Sequence, residues 1–387
     1  MKILIATDIT LRICGNRIYA RNKYSIIFRR YNNSFGKIVF CCRTEVIDEI
    51  VDDCDDITDI TDKVIPANSL LKGLIGKYNK SLENAIKDCD LVICRCPSIY
   101  AYRAADCARS LNKPYLTESM GCACDAYWNH GLTGKAITPY MFFKMKEVVK
   151  YADYASYVTS KFLQKRYPRK GNNLAASNVL IKSVDDSILE RRVKHIENSH
   201  ENLVTLMTTA AVNVKYKGQQ YVIKAIPEIN RAGIRVKYYI VGEGDQSYLK
   251  AIAKKHGVDD QVLFMGRLPL EHVMDLLDDT DIYIQPSLQE GLPRSVIEAL
   301  SRGCISLGTN TAGIPELLVD KYVLQKKSVK DITQKIISIC NSPLEVKIEN
   351  AKRNFEFSKQ FLSDVLDIKR KKYYCLIKKE IGEGNAK

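Results

Sequence analysis

The sequence predicts an α/β protein built from two doubly wound domains. Short apolar runs alternate with segments of helical period along the chain, which is the pattern of βαβ units with parallel strands. The chain has 387 residues, which exceeds what one hydrophobic core usually supports. The alternation also begins afresh near residue 203, after a polar stretch at 168–200. Two domains of the same type are therefore expected.

The predicted strands are the apolar runs of each half. In the first half they are residues 2–7, 37–42, 91–96, 114–118 and 155–160. In the second half they are residues 203–209, 236–242, 261–266, 281–286 and 304–309. The boundary is expected near 185–200, which gives an N-terminal domain over residues 1–190 and a C-terminal domain over residues 191–355. Because ligands of open α/β sheets bind beyond the carboxyl ends of the strands, the site is expected in a cleft between the domains.

Composition limits the classes of partner and the compartment. The formal net charge of +14 favours an acidic partner, such as nucleic acid, anionic lipid or a nucleoside diphosphate. No nucleic-acid-binding motif is evident, so a nucleic-acid partner is not expected. The opening residues MKILIATD read as a strand rather than a signal peptide, and no apolar run reaches the ~18 residues of a membrane span. The thirteen cysteines are odd in number and several lie in predicted buried strands, so we expect reduced thiols and a cytoplasmic location.

Two basic segments are candidates for contact with a membrane surface. Residues 70–87 carry apolar side chains at helical spacing with Lys72, Lys77, Lys80 and Lys87 among them, which is a pattern of interfacial helices. Residues 144–170 are rich in lysine and arginine. Peripheral contact with an anionic membrane is expected from these patterns. A core-packed helix with a solvated basic face is the alternative for either segment.

The most informative stretch is PSLQEGLPRSVIEALSRGCISLGTNTAGIPELL at 286–318. Pro293 fits the first helical position, where its missing N–H costs nothing, and Gly303 fits the left-handed stop after the last turn. A short helix over 293–302 is therefore predicted. Glu290 then lies in the loop before this helix, and Glu298 lies more than one turn inside it.

This helix start has the chemistry to bind a sugar nucleotide. The backbone N–H groups of Gly291 and Leu292 join the helix dipole to attract an anion such as a diphosphate. A carboxylate accepts two hydrogen bonds from a vicinal diol, so one of Glu290 and Glu298 can hold a ribose and the other a hexose. An amphipathic helix with two surface glutamates is the ordinary alternative.

The surroundings of the two glutamates carry a family resemblance. The strand DIYIQPS precedes them, and the strand CISLGT and the turn TAGIPELL follow. The whole segment closely resembles the donor-binding signature of family 4 retaining glycosyltransferases, which have the GT-B fold. The resemblance covers nearly the whole chain and is strongest from 203 to 320. It implies that Glu290 is catalytic and orients the transferred sugar, and that Glu298 holds the ribose.

Lys217-Gly218, which follows the strand at 203–209, resembles the Lys-Gly element of this family. A cation there would stabilise the charge that develops on the leaving diphosphate, so the resemblance makes Lys217 catalytic and places Gly218 in the donor site. Many members carry an arginine five residues before the lysine, where this chain has Val212. A second cation would then have to come from Lys215, Arg267 or the N-terminal domain.

The resemblance also marks single residues outside the main motif. FMGRL at 264–268 resembles the segment that contacts the nucleobase, which makes Leu268 a donor-binding candidate. Gly15, after the first predicted strand, stands where the family uses glycine to approach the diphosphate or the acceptor. Glu118, at the end of PYLTE, stands where many relatives have a histidine near the reacting centre, and could position an acceptor hydroxyl or take its proton. A helix N-terminal carboxylate is the alternative for Glu118, and His130 is the nearest histidine by sequence.

The last segment, residues 356–387, is expected to be a helix that packs back on the N-terminal domain, as the resemblance implies. The spacing of Phe357, Phe361, Val365 and Ile368 would suit that return.

The resemblance implies a retaining transfer of a hexose from a nucleoside diphosphate sugar to a hydroxyl group. Neither a metal nor another cofactor is expected, since Lys217 and the helix dipole carry the diphosphate charge, and the acidic run at 52–62 reads as a solvated loop. The expected acceptor is a lipid-linked or growing cell-surface glycan, as in capsule or lipopolysaccharide assembly, at the inner face of the membrane. A GT-B epimerase or phosphorylase, or a non-catalytic sugar-nucleotide-binding protein, is the alternative.

Overall fold

The structure is a computed structural model that describes residues 1–50, 53–67, 80–129, 131–199 and 202–384. The chain divides into two compact units. Unit 1 comprises Met1–Asn178 and Asp367–Lys387, and unit 2 comprises Val179–Leu366. Each unit has its own sheet with parallel strands and surrounding helices, which confirms the predicted pair of α/β domains.

Unit 1 contains a sheet of nine described strands. They are Ile3–Cys14 (β1), Arg17–Arg21 (β2), Ile38–Val46 (β3), Cys54–Asp56 (β4), Thr61–Pro66 (β5), Leu91–Cys96 (β6), Tyr115–Ser119 (β7), Tyr154–Tyr157 (β8) and Asn173–Ala175 (β9). Seven of them run parallel in the order β5-β3-β1-β6-β7-β8-β9. β2 pairs antiparallel with the last residues of β1, and β4 pairs antiparallel with β2. The order reverses between β1 and β6, so the topological switch point of unit 1 lies there.

The helices of unit 1 connect these strands. They are Asn22–Phe35 (α1), Lys80–Lys87 (α2), Ile99–Ser110 (α3), Ala123–Trp128 (α4), Gly131–Lys150 (α5) and Phe162–Arg166 (α6). The hydroxyl of Ser98 caps α3 by accepting from the N–H of Ala101 at 3.1 Å, which satisfies one of the unpaired donors of that helix start. β6 and β7 are buried along their whole length, as expected for parallel strands covered on both faces.

Unit 2 contains six parallel strands in the order β12-β11-β10-β13-β14-β15. They are Leu203–Thr209 (β10), Arg235–Val241 (β11), Val262–Gly266 (β12), Ile282–Gln285 (β13), Ile305–Thr309 (β14) and Val323–Leu324 (β15). The helices are Asp186–Glu197 (α7), Gln219–Arg231 (α8), Ser247–Lys255 (α9), Leu270–Asp278 (α10), Arg294–Ser301 (α11), Val329–Cys340 (α12) and Leu344–Ser358 (α13). The core of unit 2 forms where strand residues such as Leu206 and Ile284 pack against Ile226 of α8 and Ile336 of α12. The switch point of unit 2 lies between β10 and β13.

The boundary between the units differs from the expected one near residue 190. It falls between Asn178 and Val179, and residue 190 lies within α7. The buried guanidinium of Arg192 ties α7 to unit 2, since it donates to the backbone carbonyls of Leu277, Thr280 and Arg302. The weak periodicity of residues 168–200 did not indicate that Arg192 would be buried and hydrogen-bonded in this way.

The last helix, Ser363–Gly384 (α14), contains the second boundary, which lies between Leu366 and Asp367. Its residues from Asp367 onward belong to unit 1. The four apolar residues expected to pack there do not do so, because Phe357, Phe361 and Val365 are half-buried and belong to unit 2, and Ile368 is 68% exposed. The part of the helix in unit 1 buries Tyr374, Ile377 and Ile381. It is also held by Arg370, which donates to the carbonyl of Ser177, and by Tyr373, whose hydroxyl donates to the carbonyl of Ala155 at 3.2 Å.

The predicted basic helix at 70–87 is described only in part, since residues 68–79 lie outside the described residues. In α2, which is its described part, Leu82 and Ile86 are buried and Lys87 pairs with Glu83 at 2.7 Å. These residues follow the alternative of a core-packed helix with a solvated polar face. In the ranges that the structure describes, no helix has the length and apolar composition needed to cross a membrane.

Candidate active site

The loop after β13 leads into α11 at the switch point of unit 2. The structure places α11 at Arg294–Ser301, with Pro293 just before it, so the helix predicted at 293–302 is confirmed to within one residue at each end. Gly303 follows with φ +65°, the left-handed stop that favours glycine. Glu290, Gly291 and Leu292 therefore stand in the loop before a helix N-terminus, where a negative group is favoured.

Lys217 and Glu290 form an ion pair at this switch point. The Nζ atom of Lys217 lies 2.7 Å from Oε1 of Glu290, and the two side chains are 21% and 11% exposed. Lys217 follows β10 and Glu290 follows β13, and these strands are neighbours in the sheet. The carboxyl ends of parallel neighbours lie at the same edge, which explains why two residues distant in sequence meet here.

Gly218 permits this meeting. Its φ is +82°, and an added Cβ would overlap the carbonyl of Pro286 in the loop that carries Glu290. The loop after β13 is also hydrogen-bonded to the turn that carries Lys217, because the N–H of Leu288 donates to the carbonyl of Tyr216 at 2.7 Å. A residue other than glycine at 218 would push the two loops apart and separate Lys217 from Glu290.

The turn TAGIPELL, which follows β14, supports the same loop from the other side. The hydroxyls of Thr309 and Thr311 donate to the carbonyl of Ser287, and the N–H of Gly313 donates to the carbonyl of Gly291 at 2.8 Å. The motif upstream and the motif downstream of α11 are therefore parts of one hydrogen-bonded structure.

Gln285, at the end of β13, contacts the ion pair directly. Its Nε2 atom donates to Oε1 of Glu290 at 3.1 Å and to the hydroxyl of Ser287 at 2.8 Å. Its Oε1 atom accepts from the hydroxyls of Tyr283 at 2.7 Å and Ser295 at 3.2 Å. The sequence analysis did not single out Gln285, although a polar residue at the end of a buried strand is a signal for a site.

Glu298, in α11, differs from Glu290 in having no partner. No described residue donates a hydrogen bond or forms an ion pair with its carboxylate. Burial raises the pKa of the Glu298 carboxyl, and the charge of Arg294 offsets only part of this effect. An unpaired carboxylate with reduced access to water is the arrangement expected of a group that receives hydrogen bonds from a ligand.

The other predicted donor residues occupy the same edge of the sheet or its core. Leu268 is half-buried and follows β12. Val212, at the position where the resemblance would place an arginine, is buried in the core of unit 2. Lys215 lies over the ring of Tyr248, 4.6 Å from its centroid, and Arg267 lies 3.9 Å from Glu243. Among the described lysines and arginines, Lys217 is the one that pairs with Glu290.

Gly15 follows the first strand, as predicted, but it lies in a hairpin turn. The first strand continues to Cys14, well beyond the predicted end at residue 7, and pairs with β2 as an antiparallel hairpin. Gly15 is exposed at the tip of this hairpin with φ +55°, and an added Cβ would meet no atom within 4 Å. The hairpin turn explains the glycine, because such a turn requires a positive φ.

Glu118 is not available as an acceptor-binding base. It is 5% exposed, and its carboxylate accepts from Nε of Arg95 at 2.6 Å, from Tyr31 at 3.2 Å and from Asn178 at 3.1 Å. Burial alone would raise the pKa of the Glu118 carboxyl, but the charge of Arg95 and these hydrogen bonds outweigh it and lower the pKa. Glu118 therefore lies inside a strand and not at a helix N-terminus, and in this structure its carboxylate serves as the counter-charge of buried Arg95. His130 lies outside the described residues.

Asp8 is a carboxylate of unit 1 that the sequence analysis missed. It lies where the register of β1 shifts between Ala6 and Thr10, next to the switch point, and accepts from the hydroxyl of Ser98 at 2.9 Å. Burial raises the pKa of the Asp8 carboxyl, against the lowering effects of Ser98 and Arg43. The available signal was an aspartate directly after the apolar run of the central strand.

Comparison with known proteins agrees with these features. The family model described as Glycosyl transferases group 1 matches residues 190–355. Protein CapJ of Staphylococcus aureus is 30% identical over 378 residues, which cover 94% of this chain and 94% of that protein. WcaL of Escherichia coli, whose name places it in colanic acid biosynthesis, is 25% identical over 162 residues, covering 38% of this chain and 40% of that protein.

The fold also has solved counterparts. The structure of HepE from Anabaena in complex with UDP superposes with a TM-score of 0.67 at 14% identity, covering 98% of this chain and 100% of that chain. The match over nearly the full length shows that the two parallel-sheet units are those of the GT-B fold. With a relative at 30% identity over 94% of both sequences, the chain belongs to the group 1 glycosyl transferases and is a glycosyltransferase.

Proposed function

We propose that this glycosyltransferase is a retaining enzyme that moves a hexose from a nucleoside diphosphate sugar to a hydroxyl group, and that the donor binds at the carboxyl edge of unit 2. One observation carries the proposal. A paired Lys217 and Glu290 stand beside the N-terminus of α11, while the Glu298 carboxylate on the same helix has no partner. HepE, which shares the fold, was solved with UDP, and this supports a uridine nucleotide as the first donor to test.

Different residues of the site bind different parts of the nucleoside diphosphate sugar. Lys217 has three N–H donors and gives one to Glu290, so two remain for the diphosphate. The N-terminus of α11, with the N–H groups of Gly291 and Leu292, adds positive potential on the same side. Glu290 accepts hydrogen bonds from the hexose hydroxyls, and Glu298 accepts them from the ribose.

The proposed reaction breaks the bond between C1 of the hexose and the phosphate oxygen and forms a bond between C1 and the acceptor oxygen. The acceptor attacks from the face that the diphosphate leaves, so the configuration at C1 is retained. The proton of the acceptor hydroxyl moves to the departing phosphate oxygen. Lys217 and the helix end stabilise the charge on the diphosphate, and the proposal includes no metal or other cofactor.

The proposed acceptor is a hydroxyl of a lipid-linked or growing cell-surface glycan. The name of WcaL, which assigns that relative to colanic acid biosynthesis, supports a polysaccharide product. The proposed location is the cytoplasm, at the inner face of the membrane. All thirteen cysteines are free thiols, as expected in a reducing compartment.

Replacing Glu298 with glutamine tests the donor site. We expect UDP to bind ~1–3 kcal/mol more weakly, because a charge-assisted acceptor for the ribose is lost. The unliganded variant should have a higher melting temperature at pH 7 than the wild type. The pKa of Glu298 is raised in the folded state, so its ionised form destabilises the fold above the ordinary carboxyl pKa. This difference should become small as pH falls to about 4, because the carboxyl is then mostly protonated in both states.

Calorimetric titration with UDP and thermal unfolding at the two pH values would measure both effects. The matched control is Glu271→Gln, on the exposed surface of α10, which should change neither quantity. Unchanged UDP affinity in the folded Glu298→Gln variant would remove Glu298 from the donor site. A nuclear magnetic resonance spectrum of the product would show an inverted anomeric centre if the retaining proposal fails.

We propose that the protein contacts an anionic bilayer through one face of α5. Its outward residues at helical spacing combine apolar and cationic side chains. They are Leu132, Lys135, Phe143, Lys146 and Lys150, and we call them the α5 face. Leu132 is 84% exposed and Phe143 is 64% exposed, so the face presents two large apolar side chains beside its lysines. Part of this face lies in the segment 144–170, which the sequence analysis marked as basic.

Sedimentation with vesicles would test the α5 face. We expect binding to anionic vesicles and release as salt rises, since each lysine near such a surface contributes roughly 1 kcal/mol and is screened by salt. The change of Lys135, Lys146 and Lys150 to glutamine should abolish sedimentation and leave UDP binding intact. The control changes Lys250, Lys254 and Lys255, which lie exposed on α9 in unit 2. Equal binding to neutral vesicles, or an equal loss in the control, would contradict the proposed surface.

A further inference from the structure

Gln285 is hydrogen-bonded at every position that its side-chain amide offers. It is 1% exposed, and its two N–H donors and two acceptor sites are used by four side chains of unit 2. Two of these partners, Ser287 and Ser295, lie near the start of α11, and a third, Tyr283, lies in β13. The fourth is the proposed catalytic residue Glu290.

The chemistry of Glu290 fixes which way this amide points. A carboxylate only accepts hydrogen bonds, so the group that lies 3.1 Å from Oε1 of Glu290 must be the NH2 end of Gln285. The carbonyl end then faces two hydroxyls, which donate to it. The hydroxyl of Tyr283 in turn accepts from the N–H of Thr209 at 3.3 Å, so the line of donors begins at the backbone of β10.

Both donors to Glu290 reach the same oxygen. Lys217 Nζ lies 2.7 Å from Oε1 and Gln285 Nε2 lies 3.1 Å from it. No described residue donates to Oε2 of this carboxylate. One oxygen is therefore held by the protein while the second is left to accept hydrogen bonds.

We infer that Gln285 is a positioning residue, whose amide holds Oε1 of Glu290 so that Oε2 is presented to the hexose of the donor. The inference depends on the proposed function in placing a hexose at Glu290. Gln285 itself touches the carboxylate and not the sugar. Its contribution should therefore appear in the recognition of the hexose and not in the binding of the nucleotide.

The variant Gln285→Glu gives the sharpest test, because it keeps the shape and changes only the donor. Two carboxyl groups would then lie about 3 Å apart, and such a pair raises the pKa of one member strongly. When that member is protonated, its O–H donates to Glu290 as the amide did. When it is ionised, the two groups repel each other. The variant should approach the wild type at pH 6 and differ from it at pH 8.

The measurement compares UDP with UDP-hexoses by calorimetry at pH 6 and pH 8. UDP-glucose, UDP-galactose and UDP-N-acetylglucosamine are the probes, and the tightest of them in the wild type is used. We expect Gln285→Glu to bind that UDP-hexose about 10-fold more weakly at pH 8 and nearly normally at pH 6, while UDP binds equally well at both. Equal weakening of UDP and UDP-hexose, or a loss that does not depend on pH, would overturn the inference.

A matched control separates positioning from the cost of a buried carboxylate. Asn354→Asp makes the same amide-to-carboxylate change at another buried amide of unit 2, which donates to the carbonyl of Cys304 at 2.8 Å. It should lower the melting temperature without altering the preference for UDP-hexose over UDP. The same pH-dependent loss in this control would assign the effect to stability and contradict the inference.

A swap of the two residues keeps the inference testable without any ligand. In the double variant Gln285→Glu with Glu290→Gln, an amide and a carboxylate still face each other, so the melting temperature at pH 8 should recover relative to Gln285→Glu alone. Simple addition of the two single losses would show that the contact is absent. If the wild type binds neither UDP nor any probe while the swap recovers, the proposed function fails and the contact stands.

Discussion

Replacing Lys217 with alanine is expected to lower kcat about 100-fold or more, since one preorganised electrostatic partner in a water-poor site typically contributes that much. The change removes the cation beside Glu290, and Val212 occupies the core position where the resemblance would place a second one. Binding of uridine, which has no phosphate, should barely change. Steady-state kinetics of UDP release and calorimetry with uridine measure the two quantities.

The control for the lysine is Lys224→Ala, which removes an exposed charge from α8 in the same unit. It should leave kcat and uridine binding near the wild-type values. Near-normal turnover of Lys217→Ala would show that another cation neutralises the diphosphate, with Lys215 and Arg267 the first to examine. The ion pair between Lys217 and Glu290 would then contribute to the stability of the fold and not to catalysis.

Replacing Glu118 with glutamine is expected to lower the free energy of unfolding by about 3–5 kcal/mol, because it leaves the charge of Arg95 buried without compensation. Arg95 is 1% exposed, and its NH1 atom has no hydrogen-bond partner among the described residues. The pKa of Glu118 is lowered in the folded state, so its stabilisation is present above the ordinary carboxyl pKa and is lost as pH falls through the folded value. The difference from the wild type should therefore shrink in acid.

Denaturant unfolding at pH 7 and in acid would measure the loss. Glu147→Gln is the matched control, since Glu147 pairs with Arg109 and Lys144 at a partly exposed site where such pairs contribute about 1 kcal/mol or less. The double change Arg95→Met with Glu118→Leu should regain much of the stability, because both charges are removed. A Glu118→Gln variant of normal stability but little activity would restore the catalytic interpretation.

The parts of the site that the sequence could predict are those fixed by local rules. Pro293 and Gly303 mark the ends of α11 through their backbone preferences, so the position of Glu290 before the helix followed directly. Gly218 beside Lys217 signalled a close approach of two loops, although the partner, Pro286, became known only from the structure. Strand alternation was likewise sufficient for the two sheets.

The parts that could not be predicted depend on contacts between distant segments. Glu118 and Arg95 sit on neighbouring strands, and only their pairing distinguishes a buried counter-charge from an accessible base. The return of α14 buries Tyr374, Ile377 and Ile381, which lie beyond the apolar residues that the sequence analysis assigned to it, and adds bonds from Arg370 and Tyr373 to backbone carbonyls. The hairpin at Gly15 was not predicted, because β1 runs past a register shift into alternating polar and apolar residues that were not assigned to the strand.

The contact of Gly218 with Pro286 joins the turn that carries Lys217 to the loop that carries Glu290. They are joined by backbone against backbone and by the bond from Leu288 to Tyr216, so neither moves alone. The separation of the main-chain segments that carry Lys217 and Glu290 is then fixed, and only the side-chain torsions of the two residues remain free. Little conformational entropy remains to be lost in aligning them, so more of the interaction with an incoming molecule is available for affinity.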